Sequence, residues 1–336
     1  MVPRAPDPVP NNRGSVRRDD KTRDEQCPAI IFKNDGADHP FWLAYEAPLG
    51  HFVTMNLVSI QSHVVHGHVG NAAAVFALQR LGVEVWPIDT VQFSNHPGHG
   101  AWTGRVSDAA TIRELADGVA ARGAFAACDG VLSGYIGTGA IGEAVLATVA
   151  KVKSANPAAR YCCDPVIGDV GRGVYVASGV PEFLRDHAVP AADVVTPNQF
   201  ELDHLSGRRS ATLRDAVAAV DALHALGPRV ILVTSLHTAE TPPEAVDLLV
   251  SDPTGRFRLR TPKLPLAING AGDAIAALFF AHLLRTGSAA GALARATSSV
   301  FGILRRTAEG GAREMLLIEA QDEIVAPGEI FQPETV

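Results

Sequence analysis

The 336-residue sequence has no surplus of positive charge: 29 lysines and arginines stand against 36 aspartates and glutamates, a formal net charge of -7 at pH 7. The basic stripe expected of a nucleic-acid binder is therefore missing, although a local loop can still hold an anion. No apolar run reaches membrane-spanning length, and the first residues lack the short apolar core of a secretory signal. Cysteine is sparse, and Cys27, Cys128, Cys162 and Cys163 show no metal-binding spacing. Adjacent Cys162 and Cys163 cannot readily bridge each other, which points to free thiols in a reducing compartment, so the expected location is the cytoplasm. A Gly-x-x-x-x-Gly-Lys-Ser/Thr phosphate loop is absent, which excludes a P-loop kinase. A strict Gly-x-Gly-x-x-Gly with its downstream acid is absent too, and Gly67 to Asn71 is too loose to replace it, which argues against a nicotinamide dehydrogenase. His63, His66 and His68 have no clear fourth partner for zinc.

What is present suits a globular protein with a sizeable core, since 47% of residues are hydrophobic and 19% charged. Residues 1–54 differ from the rest. Through Gln26 they mix prolines with both charge signs and few large apolar residues, a composition that predicts disorder. Cys27 to Phe32 and Phe41 to Tyr45 are more apolar and could dock on something. Met55 stands directly before the first convincing strand, so translation starting there is one hypothesis. No internal repeat and no second domain of comparable size follow.

From Asn56 the pattern alternates. Leu57–Ile60, Val83–Ile88, Gly130–Gly134, Arg160–Cys163, Asp193–Val195 and Val230–Val233 read as strands. Between and after them, Asn71–Leu81, Asp108–Ala121, Ala140–Val152, Ala211–Leu226, Asp273–Leu284 and Gly291–Arg305 read as helices, and Ala245–Val250 with Arg256–Arg260 as an antiparallel hairpin. Such alternation predicts an α/β fold with a mostly parallel central sheet and helices on both faces. Ligands bind beyond the carboxyl ends of such strands. The polar runs there should converge: Ser62-His63, Gln92 to His96, Gly134-Tyr135, Asp164 to Asp169, Thr196 to Glu201 and Thr234-Ser235.

The run Asn269-Gly270-Ala271-Gly272-Asp273 leads into a string of helix formers. Glycines let the backbone come close to a ligand, and a helix start aims unpaired N–H groups at an anion. Asp273 conflicts with a bound phosphate unless it accepts a proton from an attacking hydroxyl; the plain alternative is an N-cap. Asp164 and Asp169 lie on one loop after a buried strand, where they either cap turns or hold hydrated Mg²⁺. Asn198 and Glu201 have capping-box spacing, and equally suit phosphates and a metal. Tyr135 is either core or a ring-stacking aromatic at a strand end.

Several runs together resemble pyridoxal kinase of the ribokinase-like superfamily: Ser59 to Val65, Gly67 to Asn71, Val91 to His96, Ser133 to Tyr135, Cys163 to Asp169, Thr196 to Glu201 and Gly270 to Asp273. Order and spacing agree from about Met55 onward. The Gln-Ser-His and Gln-Phe-Ser-Asn-His runs are specific to pyridoxal kinases, whereas the Gly-x-Gly-Asp run marks only the superfamily. The resemblance implies a three-layer α/β/α sandwich and ATP-dependent phosphorylation of the 5′-hydroxyl of pyridoxal, with pyridoxine and pyridoxamine as further substrates. It implies ring contacts from Ser62, Val91, Phe93, His96, Pro97 and Tyr135. ATP phosphates and cations fall to Asp164, Thr196, Asn198 and Glu201, with Thr234 and Ser235 at a nucleotide-binding strand end. Mg²⁺ falls to Asp164, Asp169 and Thr196, and a monovalent cation, K⁺ or Na⁺, is left open. Gly270, Ala271 and Gly272 form the anion hole and Asp273 the base. A homodimer that binds small molecules, and neither nucleic acid nor membrane, is expected.

The chain departs from the pattern in three places. Pro97-Gly98 stands where relatives often have Thr, Thr234 where some bacterial relatives have Lys, and Ala271 where many have Thr or Val. Two other readings stay open on the sequence: a hydroxymethylpyrimidine kinase, which shares the fold and catalytic run, and a non-catalytic vitamin B6-binding regulatory protein.

Overall fold

The computed structural model describes residues 55–336. The expectations of disorder and docking before Met55, and of a translation start there, concern residues outside that range.

Ten strands form one sheet. In chain order they are β1 (Asn56–His66), β2 (Glu84–Asn95), β3 (Gly104–Val106), β4 (Gly130–Ser133), β5 (Arg160–Cys163), β8 (Val194–Val195), β9 (Val230–Leu236), β10 (Ala245–Asp252), β11 (Gly255–Pro262) and β12 (Glu334–Thr335). Two short strands, β6 (Gly168–Asp169) and β7 (Gly173–Val174), make a separate hairpin. The order across the large sheet is β12-β11-β10-β9-β8-β5-β4-β1-β2-β3. Pairing is parallel from β9 through to β2 and antiparallel at both flanks. The parallel centre and the β10–β11 hairpin agree with the sequence reading.

Helices cover both faces because successive side chains of a strand point opposite ways. Val58, Val131, Cys163 and Ile231 pack on one side with Ile112 of α2 (Ala109–Ala121), Ile141 of α3 (Gly139–Ala155), Leu202 of α4 (Gln199–Ser206) and Val220 of α5 (Leu213–His224). Their neighbours Leu57, Leu132, Cys162 and Leu232 face the other way. They meet Ala77 of α1 (Asn71–Arg80), Phe279 of α6 (Ala271–Thr286) and Leu293 of α7 (Ala289–Glu309). Helix α6 is buried along Ala274–Leu283, as expected of a helix apolar on every side. Gly130 makes room for it, since a Cβ there would lie 2.7 Å from the Phe280 ring.

Two strands run further than their apolar cores suggest. β1 continues through Ser62 and His63 to His66, so these residues lie in a strand and not in a loop after it. β2 likewise takes in Val91–Asn95, expected as an open polar stretch. The pair shifts register at a bulge between Gln61 and Ser62, and the ladder continues to His66 opposite Asn95. Val64, Val91 and Phe93 project to one side and bury a small cluster with Val69, giving the extension a core of its own. This ribbon stands above the carboxyl ends of the parallel strands.

Candidate active site

Helix α6 begins inside the glycine run, at Ala271. Gly270 has φ 93°, and a Cβ on it would lie 1.8 Å from the His68 carbonyl oxygen, so only glycine fits. The first helical bond from this loop is Ala274 N–H to Gly270 O, 3.0 Å. The N–H groups of Ala271 and Gly272 therefore precede any helical acceptor and point into the space before the helix. Gly270, not Asp273, holds the cap position, and the helix begins two residues earlier than the periodicity suggests. Asp273 sits in the first turn, where the backbone N–H groups of Gly70 and of Asp273 itself favour its ionised form. Burial outweighs them and pushes its carboxyl from the ordinary 3.8 up to about 6.

Gly70 links this acid to the extended ribbon. Its φ is 54°, and a Cβ would lie 2.1 Å from Ser62 O and 2.4 Å from Ser62 Oγ. The turn before α1 is thus wedged between Ser62 and Asp273. A buried polar chain fixes its base: Gln61 Nε2 donates to Ser59 Oγ (2.9 Å), which donates to Asn71 Oδ1 (2.8 Å). Asn71 Nδ2 in turn donates to Asp89 Oδ1 at 2.7 Å.

Strand ends supply the other acids. Asp164 follows β5, is only 7% exposed, and accepts a bond from Thr196 Oγ1 at 2.8 Å. Burial, then the charges of Glu201 and Asp273, hold its carboxyl well above the ordinary range. Asn198 and Glu201 complete the capping box of α4, with reciprocal bonds of 3.0 and 2.9 Å. Glu201 also accepts from Ile167 N–H at 2.9 Å, yet burial still pushes it up to about 8. Among the described residues, no ion pair includes Asp164, Glu201 or Asp273. Uncompensated carboxylates presenting oxygen donors suit a hard divalent cation. Asp169 is exposed at the tip of β6, its Oδ1 accepting from Val170 N–H at 2.7 Å.

On the ribbon side, Val91 and Phe93 are buried, Tyr135 packs against them, and Trp102 lies on Phe93 with ring centroids 4.1 Å apart. Thr90 Oγ1 ties this wall to Tyr135 O at 2.6 Å. His96 caps a single turn, Pro97–His99, by accepting Gly98 N–H on Nδ1 at 3.0 Å. Burial, then the neighbouring His99 and Arg172, lower its basicity. Ser94 and Asn95 shape this turn: Ser94 Oγ donates to Asn95 Oδ1, and Asn95 Nδ2 donates to Ala101 O. Gln92 bonds Asp89 and does not line the cleft.

One cleft of about 690 Å³ collects all of these groups. Every residue expected to bind or act lines it, from Ser62, Val91, Phe93, His96, Pro97 and Tyr135 through Asp164, Asp169, Thr196, Asn198, Glu201, Thr234 and Ser235 to Gly270–Asp273. Ser235 has φ 51°, the single positive φ of a non-glycine residue among the described residues; strain of this kind is common at ligand-binding strand ends. Sequence reasoning missed Arg172, Tyr175 and Asn269, which also line the cleft. Arg172 lies in the turn of the β6–β7 hairpin and Tyr175 directly after it, and the two-residue strands carry no periodicity. A second cavity of about 390 Å³ shares Ile268 with the cleft and is lined by Pro265, Leu266, Ala267 and Ala308 among others.

Comparison with known proteins gives concordant results. The model of a family described as phosphomethylpyrimidine kinase matches residues 108–316. The chain is 57% identical over 282 residues to a pyridoxal kinase of Granulibacter bethesdensis, covering 82% of this chain and 98% of that protein. It is 52% identical over 287 residues to a pyridoxal kinase of Deinococcus radiodurans, covering 84% and 96% respectively. Among solved structures, pyridoxal kinase from Leishmania donovani in complex with ADP and pyridoxamine is similar, with a TM-score of 0.78 and 31% identity over 84% of this chain and 99% of that one.

Proposed function

The chain belongs to the pyridoxal kinase family of the ribokinase-like fold, and from that premise we propose that it transfers the γ-phosphoryl group of ATP to the 5′-hydroxyl of pyridoxal. One observation carries the reading. The apolar wall with Ser62 and Tyr135, the anion loop with Asp273, and the buried acids open into the same cleft.

Phosphoryl transfer asks for positioning, charge neutralisation and a proton acceptor. Val91, Phe93 and Tyr135 hold the flat pyridine ring, Ser62 bonds its polar edge, and His96 with Pro97 closes over it. The ring is thereby placed so that its hydroxymethyl arm reaches Asp273, which takes the hydroxyl proton. The N–H groups of Ala271 and Gly272 stabilise the phosphate oxygens at the positive end of α6. Asp164, Asp169 and Thr196 would hold Mg²⁺, which supplies charge neutralisation at the phosphates. Asn198 and Glu201 shape the loops around those phosphates, since their capping box sets the path of Thr196 to Asn198. Thr234 and Ser235 face the nucleotide. A monovalent cation, a homodimer and residence in the cytoplasm complete the proposal; among the described residues no helix is long and apolar enough to cross a membrane.

A specific observation keeps a second reading in view, because the matching family model is described as phosphomethylpyrimidine kinase. The test offers pyridoxal and hydroxymethylpyrimidine at equal concentration with labelled ATP. Label is expected in the pyridoxal product; predominant labelling of the pyrimidine overturns the assignment. Light scattering tests the homodimer.

A further inference from the structure

The cleft has an uneven charge inventory. Asp164, Asp169, Glu201 and Asp273 line it, whereas among the described residues Arg172 is the one lysine or arginine that does so. Lysine is scarce: Lys151, Lys153 and Lys263 are the lysines among residues 55–336, and none reaches the cleft. His96 is held towards its neutral form by its surroundings. A nucleoside triphosphate entering here meets fixed negative charge on one side and backbone N–H groups on another.

Arg172 sits in the turn between β6 and β7, held by its own N–H to Asp169 O at 3.2 Å. Its Nη1 donates to Asn269 Oδ1 at 3.3 Å, and Asn269 immediately precedes Gly270 of the anion loop. Asn269 in turn faces the turn after His96, with Nδ2 3.7 Å from where a Cβ on Gly98 would be. The guanidinium therefore lies where the hairpin, the anion loop and the substrate-side turn meet. A single neutral amide oxygen occupies one of its five donors, which leaves a planar fork free to engage phosphate oxygens in pairs.

On the reading of the cleft as a phosphoryl-transfer site, we propose that Arg172 is a catalytic clamp that binds non-bridging oxygens of the migrating phosphoryl group. No bond forms or breaks at Arg172, and its proton stays in place. It supplies fixed positive charge beside the anion loop as negative charge spreads over the equatorial oxygens. The competing role is a tether that merely anchors the hairpin to Asn269.

Steady-state kinetics of Arg172→Ala, Arg172→Lys and Asn269→Ala separate the two. The clamp predicts that Arg172→Ala lowers kcat roughly 100-fold, with KM for pyridoxal nearly unchanged, and that added guanidinium ion restores part of the rate. Arg172→Lys falls in between, because a point charge cannot form the fork. Asn269→Ala lowers kcat less than Arg172→Ala does, because it removes the tether and keeps the guanidinium. Calorimetry adds a readout that folding does not move: ADP binds Arg172→Ala normally, while the complex of ADP, aluminium fluoride and pyridoxal is weakened about as much as kcat. If wild type turns over and Arg172→Ala keeps its kcat within about twofold, the clamp is overturned and the kinase reading stands. Full loss in Asn269→Ala, with no guanidinium rescue of Arg172→Ala, also overturns it in favour of the tether. Absence of any pyridoxal-dependent ADP release by wild type overturns the kinase reading and the clamp with it.

Discussion

Replacing Asp273 by Asn should raise stability while removing turnover, and the two effects come from one feature of the site. The Asp273 carboxyl is displaced from 3.8 to about 6 by burial. A raised carboxyl value means that ionisation is less favourable in the folded chain than in the unfolded one. The resulting penalty grows as pH rises from about 4 to about 6 and is complete above that. A displacement of this size corresponds to at most about 3 kcal/mol, and solvent access at this half-buried group reduces it to roughly 1–2 kcal/mol. Asn carries no such penalty, and its side-chain oxygen can still accept the Gly70 N–H. Relief of the repulsion that Asp273 exerts on Asp164 acts in the same direction. Asp273→Asn should therefore melt roughly 2–5 °C above wild type near neutral pH, an advantage that fades as pH falls from about 6 to about 4 and is gone below that. Loss of the base should lower kcat by about 10²- to 10⁴-fold, with KM for ATP and pyridoxal changed only a few-fold. Scanning fluorimetry and coupled ADP release measure both. A variant that turns over within threefold of wild type, or melts below it, refutes the reasoning.

The same displacement sets the acid limb of the wild-type pH profile. The base acts only when ionised, so kcat/KM should fall as pH drops through about 6 and level off above it; a plateau that continues well below that value contradicts the assignment. Gly270→Ala places a Cβ where only 1.8 Å separates it from His68 O, and should lower both melting temperature and turnover, the latter by more than about 100-fold; calorimetry should find ATP binding lost as well. Stripping divalent cations with EDTA should abolish turnover, and returning Mg²⁺ should raise the melting temperature of wild type more than that of Asp164→Asn. An equal rise in both would remove Asp164 from the metal site.

The parallel sheet was legible because its strands obey a two-residue period with apolar residues on both sides, as Leu57/Val58 and Ile231/Leu232 show. The same rule failed at Ser62–His66 and Val91–Asn95. There the chain leaves the sheet's core, and only one side of the ribbon finds apolar partners. Polar residues in that stretch look like a loop to a periodicity argument, although the ladder between β1 and β2 continues. Asp273 shows a different limit. Cap and first-turn acid have the same composition, and only the φ of 93° at Gly270 and the approach of His68 O tell them apart. Asn198 and Glu201 needed no choice, since one capping box fills the structural role at the edge of the cleft. Arg172 gave no signal at all, and Asn269 only as the first residue of the glycine run, because their meaning lies in a contact across 97 positions of chain.

How the family model and the pyridoxal kinase relatives fit together follows from where the match lies. Residues 108–316 take in Asp164, Thr196, Glu201, Thr234 and the anion loop with Asp273, the parts proposed to handle a nucleotide and move a phosphoryl group. Ser62, Val91, Phe93, His96 and Pro97 all precede that range, on the β1–β2 ribbon and the turn that follows it. Tyr135 is the one ring-pocket residue inside it. On the proposed function, the stretch shared with phosphomethylpyrimidine kinases carries the chemistry, and the ribbon above it the choice of acceptor. The coupling between the two halves is the Gly70 turn, with Ser62 on one side and Asp273 on the other. A substitution on the ribbon should accordingly shift which hydroxyl is phosphorylated before it slows the transfer itself: Ser62→Ala should raise KM for pyridoxal about tenfold, the loss of one hydrogen bond, and leave KM for ATP and the pH limb of Asp273 in place. An equal loss in both KM values would mean that the ribbon supports the nucleotide site as well, and that the division of labour drawn from the match does not hold.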